Sequence, residues 1–296
     1  MTVVCLVLGI QQVALKSSAA DMSPVLQLAV RSGIAAALVM LLMWRRDLFR
    51  FTPGTWLPGL CLGLLFSLEY LFLGEGLRYT SASRMVIFLY SAPVFSALVL
   101  HLLLPEERLL RTQWVGILMA FAGVALAFAA RDSSLTHAGG WGLSRERSWV
   151  GDLFGLFAGL AWGLSTVVVR TTALANIPAA QTLLYQLLSA FVALTLAALV
   201  LGQHTFELTL PLVWNLLFQA LIVSFVSFLV WLSLLQRYKA SELGVLLFMT
   251  PVFGVIFGVL LLNESVHWLF VVAALLVVCG ILLVSGRQII IKRQPL

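Results

Sequence analysis

Two charged residues deep in apolar runs, Arg31 and Glu69, are the groups of this sequence best placed to do chemistry. In helices, each would lie about 10 Å from one end of its run, at about 1.5 Å of rise per residue. A charge at that depth in an apolar medium is costly unless it is paired or faces water. Equal depth and opposite charge predict that the two are neighbours. Two roles stay open: a buried ion pair that holds two helices together, or a polar site that binds a zwitterion or lets Glu69 carry a proton.

Other charged and reactive side chains offer less. Glu75 and Arg84 lie nearer the ends of their runs, and we expect both to be solvated or interfacial. The cysteines have no paired spacing and no ligand cluster beside them, so we interpret them as small core residues. They are Cys5, Cys61 and Cys279.

One pattern occurs twice in the chain. Residues 82–106 and 240–264 both open with Ala-Ser, carry Pro-Val-Phe at the centre and close with Leu-Leu-Leu-x-Glu. Residues 16–24 and 170–178 both run from a basic residue to a proline eight positions later. Two matched apolar halves predict a membrane protein built by duplication, as many transporters are.

The repeated prolines, Pro93 and Pro251, predict a kink near the middle of each helix. Proline removes one hydrogen-bond donor and clashes with the carbonyl four residues earlier. The carbonyls of Leu89 and Leu247 therefore lose their usual partner. Two interpretations stay open: a static kink that neighbouring helices satisfy, or a hinge beside a cavity.

Amide and aromatic side chains inside the runs are further candidates for a site. Gln186, beside Tyr185, is the counterpart of Arg31 in the second half. Such groups suit either a cavity wall or hydrogen bonds between helices. Aromatic residues inside spans usually pack, but together they suit an apolar or aromatic ligand. The candidate binding or translocation residues are Gln11, Gln12, Arg31, Glu69, Tyr90, Pro93, Trp162, Tyr185, Gln186, Trp231 and Pro251.

The composition puts most side chains against lipid or against each other. Hydrophobic residues make up 61% of the chain and charged residues 10%, whereas soluble domains carry about a quarter charged residues. The net charge of +6 comes from Lys and Arg at the ends of apolar runs. That placement orients a membrane protein, so we predict no nucleic-acid partner.

Ten runs approach or reach the length of about 20 residues that a bilayer-crossing helix needs. Because the hydrocarbon core has no water to satisfy a free backbone, these runs must be helices. The sequence predicts an all-α membrane protein of ten transmembrane helices in two inverted five-helix repeats. The repeats cover 1–130 and 150–286, with a linker at 131–149 and a cytoplasmic tail at 287–296. The spans are 1–15, 24–44, 56–77, 82–103, 112–130, 150–170, 180–201, 211–234, 241–262 and 267–286.

The basic residues predict the orientation. With the N-terminus inside, eleven Lys and Arg side chains lie at inner helix ends and six at outer ends, which places both termini in the cytoplasm of an inner-membrane protein. Five helices per repeat then turn the second repeat upside down. The first run is short: the chain starts upstream, the first helix is short, or Ser18-Ala19-Ala20 ends a signal peptide. No basic residue precedes the run, which disfavours the last alternative.

Glycines at a spacing of four predict close helix contacts, because they let two backbones approach. Gly151, Gly155, Gly159 and Gly163 form the longest such stripe, and Gly59/Gly63 and Gly254/Gly258 repeat the spacing once each. We expect packing within the chain, with a homodimer through such a stripe as the alternative.

The ten-span duplicated plan resembles the drug/metabolite transporter superfamily, in particular its EamA-like branch. The first half departs from the family pattern at Leu8, before Gly9 and Lys16, where tryptophan is usual. The resemblance implies ten helices around a central cavity, alternating access and no ATPase. The family's substrates include amino acids, nucleotide sugars and drugs. The residues that carry the resemblance are Pro93 with Glu106, Pro251 with Glu264, Gly116, Gly123, Arg31, and Trp162-Gly163 followed by Arg170.

Residues and resemblance together predict a secondary transporter that exports a small amphipathic metabolite, an amino acid or an analogue, by alternating access. A nucleotide-sugar or drug carrier is the alternative, although a phosphorylated substrate would need more deep cations than Arg31 alone. An intramembrane enzyme or a receptor is less well supported, because no catalytic motif and no cluster of acid, base and nucleophile is present. We expect no cofactor and no metal; the expected partners are the substrate and the lipid bilayer.

Overall fold

The computed structural model describes residues 2–46, 52–104, 108–130, 148–237, 249–264 and 266–291. Over these ranges the secondary structure is helical, apart from one isolated bridge between Met22 and Phe206. The all-α fold predicted from the sequence is therefore confirmed. The linker 131–149 lies almost wholly outside the described residues, as do Glu106 and Leu247.

The helices follow the predicted spans closely. We number them α1 to α10, counting a broken α4 and a three-part α8 as one helix each. The bounds are α1 Thr2–Ser17, α2 Pro24–Arg45, α3 Trp56–Gly76, α4 Ala82–Leu89 with Ala92–Leu103, α5 Arg111–Ala129, α6 Ser148–Thr171, α7 Ala179–Val200, α8 Leu210–Leu217 with Phe218–Ser227 and Phe228–Arg237, α9 Met249–Leu262 and α10 Trp268–Ile291.

The helices are apolar enough for a bilayer. The seven from α2 to α8 are long and apolar enough to cross one, and α1, α9 and α10 contribute shorter apolar stretches of 10–17 residues. Large apolar side chains such as Leu64, Leu118 and Leu196 are more than half exposed on the outside of the bundle. Lipid tails cover such side chains at no cost, so the exposed surface fits a membrane setting.

The two halves interlock through matched contacts. α2 packs against α7, α4 against α9 and α5 against α10. α3 packs against α6, and the equivalent helices α8 and α1 also pack together. In the same way α4 packs against α6, and the equivalent helices α9 and α1 pack together. Exchanging each helix with the one five positions further on therefore reproduces the packing, which is what a duplicated chain requires.

Equivalent helices run in opposite directions. On α5, Gly116 lies against Gly280 and Gly123 lies against Ala273, so the order along α10 is reversed. On α9, Gly254 contacts Val86 and Gly258 contacts Ser83, so α9 is likewise antiparallel to α4. An inverted repeat predicts this relation between equivalent helices.

The glycine stripe of α6 packs along α4 within the chain, as predicted. A Cβ atom built on Gly151, Gly155, Gly159 or Gly163 would come within 2.7–2.8 Å of atoms of Thr80, Phe88, Ser91 or Ala92. Contacts that close leave no room for a side chain. Glycine is therefore the only residue that allows this approach of α6 to α4.

α4 breaks at Tyr90 and Ser91, just before Pro93, which confirms the predicted kink. The Ser91 hydroxyl donates to the Phe88 carbonyl at 2.6 Å, and Gly159 of α6 lies against the carbonyls of Phe88 and Leu89. The Ser91 hydroxyl thus gives the Phe88 carbonyl a local hydrogen-bond partner at the break. Leu89 and Tyr90 lie at the break and line the cavity in the middle of the bundle. Pro251 is buried in the first turn of the described part of α9.

The bundle has two ends, which we name after the ends of α6. The Asp152 end is where α6 begins, close to the start of α4 and the end of α5. The Thr171 end is where α6 ends, near the start of α3 and the start of α7, whose residues Leu62 and Ile177 share a small apolar cluster with it.

We predict that Gly123→Leu destabilises the protein. The new side chain would meet the Ala273 carbonyl at 2.7 Å and the Val277 amide at 2.8 Å, and overpacking of a tight contact typically costs about 1–3 kcal/mol. Ala122→Leu adds a side chain of the same kind one residue away, where α5 is exposed, and should leave stability unchanged. Thermal unfolding of the purified protein in detergent measures both; equal melting temperatures would contradict the predicted contact.

Candidate functional site

A cavity lies in the middle of the bundle, where helices of both halves meet. Its empty space amounts to about 770 Å³, open solvent included. Its walls come from α1, α3, α4, α6, α7 and α8 and combine polar with aromatic groups. The polar side chains are Gln11, Gln12, Glu69, Ser165, Thr166 and Gln186, and the aromatic ones are Phe66, Tyr70, Tyr90, Trp162, Phe228 and Trp231.

The structure brings seven of the eleven predicted site residues together in this cavity. They are Gln11, Gln12, Glu69, Tyr90, Trp162, Gln186 and Trp231. The other four, Arg31, Pro93, Tyr185 and Pro251, are not among its lining residues. Pro93 lies just after the break in α4, and Pro251 is buried in the first turn of the described part of α9.

Arg31 does not form the ion pair with Glu69 that equal depth predicted. Its side chain is fully buried; its Nη1 atom donates to Gln219 Oε1 at 2.9 Å, and its guanidinium lies 4.7 Å from the centre of the Tyr70 ring. Among the described residues the ion pairs are Arg78–Glu75 and Arg84–Asp152. Arg31 is thus a neighbour of the cavity. Gln219 is the partner of its Nη1 atom and the Tyr70 ring lies beside it, while its Nε and Nη2 atoms have no partner in the described part of the chain. The sequence gave no signal for Gln219 as the partner, because the two residues are 188 positions apart.

Tyr185 belongs to the contact between α3 and α7 rather than to the cavity. Its ring packs on Gly59, where a Cβ would lie 2.7 Å away, and its hydroxyl lies 3.1 Å from Thr55 Oγ1 and accepts from Gln181 Nε2 at 3.2 Å. These bonds hold the starts of α3 and α7 together at the Thr171 end.

Glu69 is the only carboxylate among the described lining residues. It is 7% exposed, and its Oε2 atom has no hydrogen-bond partner in the described part of the chain. Gln12, on the facing wall from α1, likewise has an Oε1 atom without a partner there. The cavity therefore presents two buried acceptors that no described side chain satisfies.

The aromatic side chains form two groups around these acceptors. Trp162 and Tyr90 meet edge to face, with ring centres 5.1 Å apart. Phe66 packs on Tyr70 at 4.2 Å and on Phe228 at 6.1 Å. The walls consequently offer ring faces and edges beside a carboxylate, which suits a ligand that has both an apolar body and a polar group.

On α6, α7 and α8 the lining residues lie toward the Thr171 end, whereas on α3 they run from Phe66 to Leu73, toward the Asp152 end. On α6, Trp162 is ten residues beyond Asp152, about 15 Å at 1.5 Å per residue, and the lining continues to Val169. On α8, the lining residues Phe228, Trp231 and Leu232 fall in its last segment.

A buried ion pair lies at the Asp152 end. Arg84 donates to both carboxylate oxygens of Asp152, at 3.1 and 2.5 Å, and to the carbonyls of Ala130 and Ala127 at 2.7 Å each. Asp152 also accepts from the Thr80 hydroxyl at 2.8 Å. The expectation that Arg84 is solvated or interfacial was wrong. Its guanidinium is buried, because the Asp152 carboxylate of α6 replaces water as its hydrogen-bond partner. The pair ties together α4, α5 and α6.

Further polar contacts join the remaining helices at the same end. Glu264, at the end of α9, accepts from the backbone N–H groups of Ala82 and Ser83 at 2.6 and 3.0 Å, where α4 begins. A carboxylate at a helix N-terminus satisfies free donors and the helix dipole together. Lys16 donates to the Thr80 carbonyl. Glu75 accepts from Gln203 at 2.5 Å and from Arg78 at 2.9 Å.

The sequence analysis missed several residues of the cavity lining and of the Asp152 end, although some of them had a signal. Phe66, Tyr70 and Leu73 share one face of α3 with Glu69, at spacings of three and four residues, so the helical period could have identified them. Ser165 and Thr166 lie one turn beyond Trp162 on α6 in the same way. Asp152 had no such signal, because its partner Arg84 lies on another helix 68 residues earlier.

A bundle of apolar helices in two interlocked halves, with an amphipathic cavity between them, is typical of a membrane transporter built by duplication. The chain belongs to the EamA-like transporter family, which matches residues 1–129 and 149–286. This confirms the resemblance found in the sequence.

Similar proteins carry transporter names. The uncharacterised transporter YoaV of Bacillus subtilis (strain 168) is 25% identical over 281 residues, covering 94% of this chain and 92% of YoaV. An uncharacterised transporter of Archaeoglobus fulgidus is 26% identical over 295 residues, covering 95% of each chain. A crystal structure with 20% identity covers 99% of this chain and 96% of its own, at a TM-score of 0.69, and supports the fold alone.

We predict that Arg84→Ala strongly destabilises the protein. The variant would leave Asp152, which is 1% exposed, as an unpaired charge, and breaking a buried pair typically costs about 3–5 kcal/mol. Arg78→Ala is the matched control, because its pair with Glu75 is partly exposed and such pairs contribute about 0–1 kcal/mol. Melting temperatures of the purified variants test this. An equal fall in melting temperature for the two variants would show that the buried pair stabilises the protein no more than the partly exposed pair does.

Proposed function

We propose that this protein is a secondary transporter that exports a small amphipathic molecule with an amino group, an amino acid or an analogue of one, by alternating access. The observation that carries the proposal is the amphipathic cavity between two antiparallel halves, with a network of polar contacts that joins the helices at the Asp152 end. Alternating access needs such a central site and an end that opens and closes.

The chemistry of the cavity supports an amphipathic substrate. Glu69 and the amides of Gln11, Gln12 and Gln186 offer hydrogen bonds, while the rings of Trp162 and Tyr90 and of four other aromatic residues offer apolar contact. A nucleotide sugar is less well supported, because the described lining includes no Lys, Arg or His to meet a phosphate. A drug carrier of the same fold stays an alternative that the same panel of substrates tests.

The basic residues support an orientation with the Thr171 end in the cytoplasm, where eleven Lys and Arg side chains would lie against six outside. The Asp152 end, with its buried ion pair, then lies on the outer side. We propose export as the direction of transport.

Transport is also better supported than catalysis or signalling. The family and its named relatives are transporters, and among the described residues the lining has one carboxylate and no histidine, cysteine or second acid. General acid–base or nucleophilic catalysis needs at least two such groups within bonding reach.

We expect a disulfide across the Asp152 end to stop transport. In a variant without Cys5, Cys61 and Cys279, Val86→Cys with Gly254→Cys joins α4 to α9; a Cβ at Gly254 lies 3.2 Å from that of Val86, near the mean of about 3.8 Å in disulfides. Oxidation should abolish flux and reduction should restore it. Each single cysteine, oxidised in the same way, is the control. Full flux in the cross-linked protein would mean that this end does not need to open.

Uptake into inside-out membrane vesicles tests the function itself. With labelled amino acids, amines, drugs and nucleotide sugars as the panel, we expect accumulation of small amphipathic amino compounds and none in vesicles without the protein. Accumulation of a nucleotide sugar with no flux of any amino compound would overturn the proposed substrate.

A further inference from the structure

We infer that the protein recognises the head group of a free α-amino acid at two points: the guanidinium of Arg31 binds its carboxylate, and the carboxylate of Glu69 binds its ammonium group. The inference rests on the proposed function and narrows its substrate to a molecule that carries both charges. It follows from buried donors and acceptors beside the cavity that have no partner in the described part of the chain.

Only one end of the Arg31 guanidinium is satisfied. Its Nη1 atom donates to Gln219 Oε1 at 2.9 Å, whereas Nε and Nη2 are buried and have no partner among the described residues. These two nitrogens lie on the same edge of the planar guanidinium, and together they form the fork that binds both oxygens of a carboxylate. The ligand that this edge of Arg31 fits is therefore a carboxylate.

Gln219 fixes the direction in which the fork points. Its amide nitrogen donates to Gln27 Oε1 at 3.3 Å and to Asn215 Oδ1 at 2.9 Å, so its oxygen is the atom turned toward Arg31. In a planar guanidinium the edge formed by Nε and Nη2 faces directly away from Nη1. The bond to Gln219 thus positions Arg31 without using the two donors that a carboxylate needs.

Tyr70 connects Arg31 to the cavity. The centre of its ring lies 4.7 Å from the guanidinium carbon, and Tyr70 is itself a lining residue. Its hydroxyl is buried without a partner in the described chain and adds one more donor on this side. Arg31 therefore lies one side chain behind the cavity wall, and we expect a rotation of the Tyr70 side chain to give a ligand access to the fork.

Acceptors lie on the neighbouring part of the wall. Glu69 precedes Tyr70 on α3 and lines the cavity, and its Oε2 atom has no partner among the described residues. Gln12 Oε1, which α1 contributes, is likewise without one. An ammonium group has three donors and no acceptor, so it matches these oxygens.

A zwitterionic head group satisfies both sides at once. Arg31 and Glu69 carry opposite charges, yet no ion pair joins them in the described chain, and a buried charge is costly without a partner. In an α-amino acid one carbon atom carries both the ammonium and the carboxylate. An amine alone leaves the fork of Arg31 unsatisfied, and an acid alone brings a like charge to Glu69 without an ammonium group between them.

Binding to the purified full-length protein in nanodiscs tests the inference with a matched series whose phenyl group suits the aromatic walls. Phenylalanine is the zwitterion, phenethylamine and phenylalanine amide carry only the positive charge, and 3-phenylpropanoate carries only the negative charge. By isothermal titration calorimetry we expect phenylalanine to bind at least about tenfold more tightly than each of the others, which is about 1.4 kcal/mol. Leucine, isoamylamine and 4-methylpentanoate repeat the comparison with an aliphatic body.

Two variants assign each charge of the ligand to its partner. Arg31→Gln should remove the preference for phenylalanine over phenylalanine amide, and the amide should bind no more weakly than to the wild type. Glu69→Gln should remove the preference for phenylalanine over 3-phenylpropanoate, and the propanoate should still bind. The ligand that persists shows that each variant is folded, whereas a residue that only stabilises the fold would weaken all four ligands alike.

Matched variants control for charge and for position. Arg31→Lys keeps the positive charge without the fork, so it should lose most of the preference over phenylalanine amide. Arg45→Gln changes an exposed arginine at the end of the same helix. Glu75→Gln changes a carboxylate of α3 whose partners are Arg78 and Gln203. The last two variants should keep the wild-type preference.

The outcomes separate this inference from the proposed function. Equal or tighter binding of phenethylamine and isoamylamine than of phenylalanine and leucine overturns the inference and leaves an exporter of amino compounds standing. A preference over phenylalanine amide that persists in Arg31→Gln, or one over 3-phenylpropanoate that persists in Glu69→Gln, also overturns it. So does the absence of binding of both amino acids, whereas binding of nucleotide sugars alone overturns both the inference and the proposed function.

Discussion

The cost of an unpaired charge inside a bilayer is the constraint on which the rest of this structure depends. The described chain meets that cost in a different way at each buried ionic group. Arg84 receives a carboxylate and two backbone carbonyls. Glu264 takes the free N–H groups at the start of α4. Arg31 has a neutral amide and an aromatic ring as its neighbours. Each solution joins helices that are distant in sequence, so the same constraint assembles the bundle and closes its Asp152 end.

Glu69 has no ion-pair or hydrogen-bond partner among the described residues and lines the cavity, and Arg31 near it is satisfied only at Nη1. Glu69 has the burial of the other ionic groups but not their partners among the described residues. In a bilayer such a group stays only where water or a ligand reaches it. The side chains around it are rings and neutral amides, which neither neutralise the carboxylate nor fill the space. The position that structural pairing leaves unsatisfied is thus a position that lines the cavity.

Much of the fold could be predicted from the sequence, because its signals are local. The lengths of the apolar runs indicate the membrane-spanning helices. The spacing of the glycines on α6 indicates a close helix contact, and Pro93 indicates the break in α4. The seven cavity residues could be found for the same reason, since a polar or aromatic side chain inside an apolar run is visible without a structure. Pairing could not be predicted in this way. The expected Arg31–Glu69 pair used depth alone, whereas the observed partner, Gln219, lies on a segment of α8 that forms a π-helix from Phe218 to Ser227. A π-helix shifts the angular position of every following side chain, and nothing in the apolar pattern marks where it begins.

The duplication explains the scaffold, and the loss of symmetry explains the site. The two halves pack as equivalents, yet their chemistry differs at the cavity. The offsets that relate Arg31 to Gln186 and Pro93 to Pro251 place the counterpart of Glu69 between Ser224 and Ser227, where no residue is ionisable. Two symmetric carboxylates in one cavity would repel each other and would each need a cation. A single one, supplied by α3 alone, gives the described lining of the cavity one carboxyl group. The duplication thus provides two equivalent halves that pack against each other, while divergence between them makes the chemistry of the cavity asymmetric.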